Sequence, residues 1–154
     1  MATKKLKIDL DPQGPLTFDR DVSIPTPDGK PMKVTFTFKH RKREEMAAMS
    51  DEYMRKAREQ FQALQEEAQR EKVAREEAEA RGEVYMSPQK NSVDDVENAI
   101  RNDVETVMDC VTDWNLDAEF NADNLAKFFR LYVGAGNAIA SDYRKSMTEG
   151  RLGN

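Results

Sequence analysis

The chain has 154 residues, a formal net charge of −5, and 38% hydrophobic against 34% charged residues. That length fits one domain or two small ones, with a small core concentrated in part of the chain. No run approaches the ~20 apolar residues of a membrane span. The Met1–Lys5 start lacks the apolar region of a signal peptide, and the single cysteine, Cys110, rules out an internal disulfide and suits a reducing cytoplasm.

The first forty residues read as strands. Leu6, Ile8 and Leu10 alternate with Lys5, Lys7 and Asp9. Phe18, Val22 and Ile24 share one parity, with Arg20 as the exception on it, and Met32, Val34, Phe36 and Phe38 alternate with Lys33, Thr35, Thr37 and Lys39. A period of two turns one face to a core and the other to water. Pro25-Thr26-Pro27-Asp28-Gly29-Lys30-Pro31 separates the second and third runs, and its Asp-Gly marks a hairpin turn. A sheet this small is marginal alone, so its apolar face needs a helix or a neighbouring subunit.

From Arg41 to Arg81 the chain has no Gly or Pro and is rich in Glu, Arg, Lys, Gln and Ala, all strong helix formers. Met46, Met49, Tyr53, Ala57, Phe61, Leu64 and Ala68 form one narrow apolar stripe, which thins beyond Ala68 to Val73, Ala74 and Ala78. Ser50-Asp51-Glu52 has the pattern of a cap, which allows a break and a fresh start there. The helix has too little to bury by itself. That makes Met46, Met49, Tyr53, Phe61 and Leu64 the candidate partner-binding residues, facing another copy or a partner's helix.

Gly82 ends the segment and Pro88 lies in the connector. Ser92-Val93-Asp94-Asp95 opens the next helix, on which Val93, Val96, Ile100, Val104, Val107, Val111 and Trp114 follow at steps of three or four. An acidic loop from Asp113 to Phe120 comes next. Asn121 caps a helix with Leu125, Phe128, Phe129 and Tyr132 on one face; Gly134-Ala135-Gly136 breaks it, and Asn137 is placed to cap a last helix bearing Ile139, Tyr143 and Met147. These helices suit a small bundle around Trp114 and Phe120. The expected organisation is α+β: a sheet or hairpin region over 1–40, a charged helical segment over 41–81, a linker over 82–92 and a helical bundle over 93–154.

No catalytic constellation emerges. His40 is the only histidine and nothing places Cys110 near it, so neither a nucleophilic site nor a zinc site has enough groups. Gly134-Ala135-Gly136 matches no phosphate loop. Asp113, Asn115, Asp117, Glu119 and Asn121 mimic the start of an EF-hand, but Ala118 stands where the turn wants Gly and Asn124 where a bidentate Glu should close the shell. These side chains suit solvation and helix capping instead. No cofactor is expected. Lys39-His40-Arg41-Lys42-Arg43 is one basic cluster, neutralised next door by Glu44 and Glu45. Residues 82–154 carry 7 Lys and Arg against 13 Asp and Glu, which argues against a nucleic-acid partner there.

A Pro-Asp-Gly hairpin, a charged helix, a Val-rich helix running into a Trp loop, and the Leu125-x-x-Phe128-Phe129 helix follow one another. With Tyr143-Arg144-Lys145-Ser146 and Gly153-Asn154 at the end, the chain resembles the tail assembly chaperones of long-tailed bacteriophages, most clearly over 22–38 and 109–154. The resemblance implies a non-catalytic assembly factor of the host cytoplasm. Its partners would be the tape measure protein and tail tube subunits, with self-association and, in many relatives, a frameshifted longer form. The rival expectation is a structural minor tail or tail completion protein.

Overall fold

A computed structural model describes residues 3–149; the terminal Gly153-Asn154 lies outside them. The elements are β1 (Leu16–Ile24), β2 (Met32–His40), α1 (Arg43–Ala80), α2 (Ser92–Cys110), β3 (Val111–Trp114), α3 (Ala122–Leu131) and α4 (Ala135–Glu149). They divide into two compact units, one within Met1–His40 and Asp95–Asn154, the other Arg41–Asp94. The α+β class read from the sequence holds.

In the first unit β1 and β2 form an antiparallel hairpin running from Leu16↔His40 to Ile24↔Met32. The turn is tied by its own side chains. Asp28 Oδ1 accepts from the Thr26 hydroxyl and, at 2.9 Å, from the Lys30 N–H, contacts that hold the Asp28 carboxyl below its ordinary value. Gly29 N–H closes the turn on the Thr26 carbonyl at 3.1 Å. The expected run of strand over Leu6–Leu10 is a correction: residues 3–15 form no strand, and Leu6, Ile8 and Leu10 are exposed. An alternating pattern requires a paired neighbour to become a strand, and within the described residues none is present.

The third strand comes from far along the chain. β3 lies antiparallel beside β2, giving the order β1-β2-β3. Here too the sequence reading needs correction, because the periodic apolar row runs past Cys110 through Val111 to Trp114 with a loop expected from Asp113, whereas α2 ends at Cys110 and Val111–Trp114 is strand. The register is Phe36↔Trp114, Thr37↔Asp113 and then Phe38↔Val111, which leaves Thr112 as a bulge. A bulge puts residues three apart on one face, so Val111 and Trp114 are both buried with a spacing that also fits a helix.

The inner face of the sheet, with Val22, Ile24, Val34, Phe36 and Phe38, is buried under the helices. Tyr143 on α4 stacks on Phe38, ring centres 5.4 Å apart, and its hydroxyl donates to the Lys39 carbonyl at 2.9 Å. Arg20, the polar exception on the apolar parity of β1, reaches Asp142 on α4. Ile100 and Val107 from α2 and Leu125, Phe128 and Phe129 from α3 complete the core, so the sheet and the C-terminal helices share one core.

Asn121 caps α3 as the sequence indicates, its Oδ1 accepting from the Asn124 N–H at 2.9 Å. The start of α4 differs from expectation. Asn137 lies inside the first turn, and the helix already begins at Ala135, whose N–H bonds the Tyr132 carbonyl at 3.0 Å. Gly136 is therefore no breaker. A Cβ there would lie 2.7 Å from the Asp103 carboxyl carbon on α2, so the glycine permits a close helix approach.

Candidate functional site

In the second unit α1 runs unbroken for 38 residues, about 57 Å. The break allowed at Ser50 does not occur. Glu52 does not cap a new helix, because Arg55 one turn on takes it in an ion pair at 2.5 Å and also bonds Glu59. The guanidinium holds the Glu52 carboxyl below its ordinary value, and the two carboxylates push the Arg55 pKa up. Glu66–Arg70, Glu71–Arg75 and Lys72–Glu76 add pairs at i, i+4. At the N-terminus the Glu45 carboxylate accepts from the Lys42 backbone N–H at 2.6 Å and so caps the first turn.

The helix ends in a Schellman arrangement. Gly82 has φ +69°, its N–H bonds the Glu79 carbonyl at 3.0 Å, and the Glu83 N–H bonds the Ala78 carbonyl at 2.9 Å. The chain then doubles back along the helix. Tyr85 lies under the Arg75 guanidinium, 5.7 Å from its centre, and the Ser87 hydroxyl donates to Glu71 at 2.8 Å.

All five candidate partner-binding residues sit on α1, on one row about 27 Å long. Tyr53, Phe61 and Leu64 are 62%, 62% and 60% exposed; Met46 and Met49 are half-buried. Met54, also exposed, widens the patch beside Tyr53. Beyond Leu64 the row continues through Ala68 to Glu71, Arg75 and Ala78, and there the returning connector covers it. The sequence reading missed that cover. The apolar run Val84-Tyr85-Met86 in an otherwise polar connector is the signal for it.

The other groups weighed for chemistry have structural partners. Cys110 is buried, its thiol directed at the Thr106 and Val107 carbonyls. His40 meets the Phe18 ring edge-on at 6.3 Å. In β3 and the loop after it, Asp113 Oδ1 accepts from the Trp114 N–H, Asn115 Oδ1 from the Thr35 N–H, and the Glu119 carboxylate from the Asn121 amide. Among the described residues no group of three or more His, Cys, Asp or Glu is placed to hold a metal ion.

A family model described as phage tail assembly chaperone matches residues 1–154. The chain belongs to that family. No curated protein and no solved structure matches it. The role that comes with the family is tail assembly, with phage tail proteins as partners. In this chaperone no helix among the described residues is long and apolar enough to cross a membrane. Its Trp114 loop serves the core: the indole N–H donates to the Ala118 carbonyl at 2.7 Å, and the ring meets Phe120 and Phe128 edge-on at 5.2 and 5.6 Å. On α1 a row of large apolar side chains is left open.

Proposed function

We propose that this chaperone works without catalysis, by laying the open row of α1 against apolar helical stripes of the tape measure protein, and that it also engages tail tube subunits during assembly. The observation that carries the reading is the row Tyr53, Phe61 and Leu64, each about three-fifths exposed on one face of a continuous helix. An amphipathic helix face reads a partner helix through anchors spaced by three, four and seven residues. Here the anchors are large, and the flanking i, i+4 ion pairs keep the helix formed while the row is empty.

The reading extends to self-association and to action in the host cytoplasm while tails are being built. Met46, Met49, Tyr53, Phe61 and Leu64 form the client contact. A long tape measure helix that exposes apolar stripes aggregates on its own, and a reversible cover of matching periodicity prevents this.

Co-expression with the cognate tape measure protein tests the proposal. The wild-type chaperone is expected to raise the soluble fraction of that protein. The triple variant Tyr53→Glu, Phe61→Glu, Leu64→Glu should retain its helix by circular dichroism and lose the effect. Equal solubility with and without the wild-type chain overturns the reading.

A further inference from the structure

Two features near the start of the chain are unexplained by this role. Thr3–Leu10 presents Leu6, Ile8 and Leu10 on one parity, 85%, 70% and 90% exposed, and no backbone hydrogen bond joins residues 3–15 to another segment among the described residues. β1 is an edge strand nine residues long, paired to β2 on one side only. An exposed edge and an unpaired alternating strand are two halves of one kind of contact.

We propose that the segment Thr3–Leu10 of one copy adds antiparallel to the β1 edge of a second copy, a reciprocal exchange of arms that builds a two-fold dimer. Charge selects the register. On the solvent face of β1, Asp19 and Asp21 stand in a row, held by the Thr37 and Thr35 hydroxyls at 2.7 and 2.6 Å. On their β2 side they have threonines opposite; on their outer side no strand lies among the described residues. The arm carries Lys5 and Lys7 on its polar parity. Pairing Lys5 with Asp21 and Lys7 with Asp19 also sets Ile8 against Phe18 and Leu10 against Leu16, and it keeps Asp9 opposite Thr17. Moving the arm two residues toward its own N-terminus sets Asp9 against Asp19, and moving it two the other way sets Thr3 against Asp21. The proposed register alone gives two opposite-charge pairs; on the other parity Ile8–Phe18 and Leu10–Leu16 are apolar matches, while Leu6 falls beside Arg20 and Lys4 beside Val22.

The occupant is a second copy and not the same chain, because of the five residues that join arm and strand. Asp11-Pro12-Gln13-Gly14-Pro15 holds two prolines, and Pro15 immediately precedes β1. The connection bends at Asp11 and at Gly14, which has φ +94°, and in this conformation it leaves the arm unpaired with its own β1 among the described residues. A hinge that leaves the arm unpaired on its own strand favours exchange, and a reciprocal exchange closes with two-fold symmetry.

The exchange deepens the self-association in the proposed function and is independent of α1. It is tested on the full chain by sedimentation velocity over a concentration series. Wild type is expected to be a dimer. Lys5→Glu with Lys7→Glu, and separately Asp19→Lys with Asp21→Lys, should weaken it about tenfold or more, since each places like charges opposite one another. Mixing the two variants should restore the dimer, because each arm then meets the opposite charge; restoration also demonstrates that both variants are folded. A wild-type chain that stays monomeric, a dimer indifferent to the reversals, or a mixture that fails to recover overturns the exchange. Undiminished solubilisation of the tape measure protein by these variants would leave the α1 reading standing.

Discussion

Arg20 Nε and Asp142 Oδ1 meet at 2.6 Å across 122 residues of sequence, joining β1 to α4. The pair explains why a guanidinium interrupts an apolar parity. Both side chains are about three-quarters covered, and Asp142 accepts from Ser146 as well. Arg20→Ala should lower stability by about 1–2 kcal/mol, the cost of losing a charge-assisted bond and leaving a partly covered carboxylate unpaired. Urea unfolding measures it. Removing both charges with Arg20→Met and Asp142→Ala should cost less than the single change.

Gly136 faces Asp103 too closely for any side chain. Gly136→Ala is expected to destabilise by about 1 kcal/mol in spite of alanine's better helix propensity, and to cost less in an Asp103→Ala background. Thermal unfolding of the two single variants and the double variant checks this coupling.

Burial also pushes the Asp103 carboxyl up from its ordinary value. The folded chain therefore binds that proton more tightly than the unfolded chain. Relative to Asp103→Asn, the wild type should gain stability as pH falls through the interval just above the ordinary carboxylate value, and the gain is complete below it. Parallel urea titrations at neutral and acidic pH measure the difference; an unchanged gap between the two proteins contradicts it.

Trp114, the only tryptophan, is 7% exposed and bonded to the Ala118 carbonyl. Trp114→Phe leaves that carbonyl without its indole and opens space beside Phe120 and Phe128, so a loss of about 2–3 kcal/mol is expected. In the wild type its fluorescence should shift to longer wavelength on unfolding, together with the loss of sheet structure seen by circular dichroism.

At the end of α1, Gly82→Ala places a Cβ at φ +69° and should destabilise the closing turn by about 1 kcal/mol. Hydrogen exchange of the amides around Glu79–Glu83 is the local readout, with faster exchange expected there and no change in the sheet.

Hairpin and helices were legible in the sequence wherever a period met a partner that chain neighbours supply: β1 with β2 through the Asp28-Gly29 turn, α1 through uninterrupted helix formers, α3 through Asn121. The misreadings occur where the partner is remote. Val111 and Trp114 keep helical spacing, and only the neighbouring β2 with a bulge at Thr112 turns them into strand. Leu6, Ile8 and Leu10 have strand alternation without a strand beside them. Gly136 looks like a breaker until Asp103 is known to face it. For α1, the exposure of Tyr53, Phe61 and Leu64 followed from the thin stripe, whereas the contacts of Tyr85 with Arg75 and Ser87 with Glu71 depend on where the connector turns, which periodicity does not encode.

The third strand sets an order on synthesis. β3 closes a sheet whose first two strands left the ribosome some seventy residues earlier, and Arg41–Asp94 emerges between them. That stretch is stabilised by contacts a few residues apart, so it can form while the nascent chain is still growing. The hairpin waits with Phe36 and Phe38 uncovered until Trp114 and then Tyr143 arrive. A charge-laced helix that forms early leaves the waiting strands tethered to a segment already folded on local contacts, which lowers the chance that they pair with strands of other nascent chains.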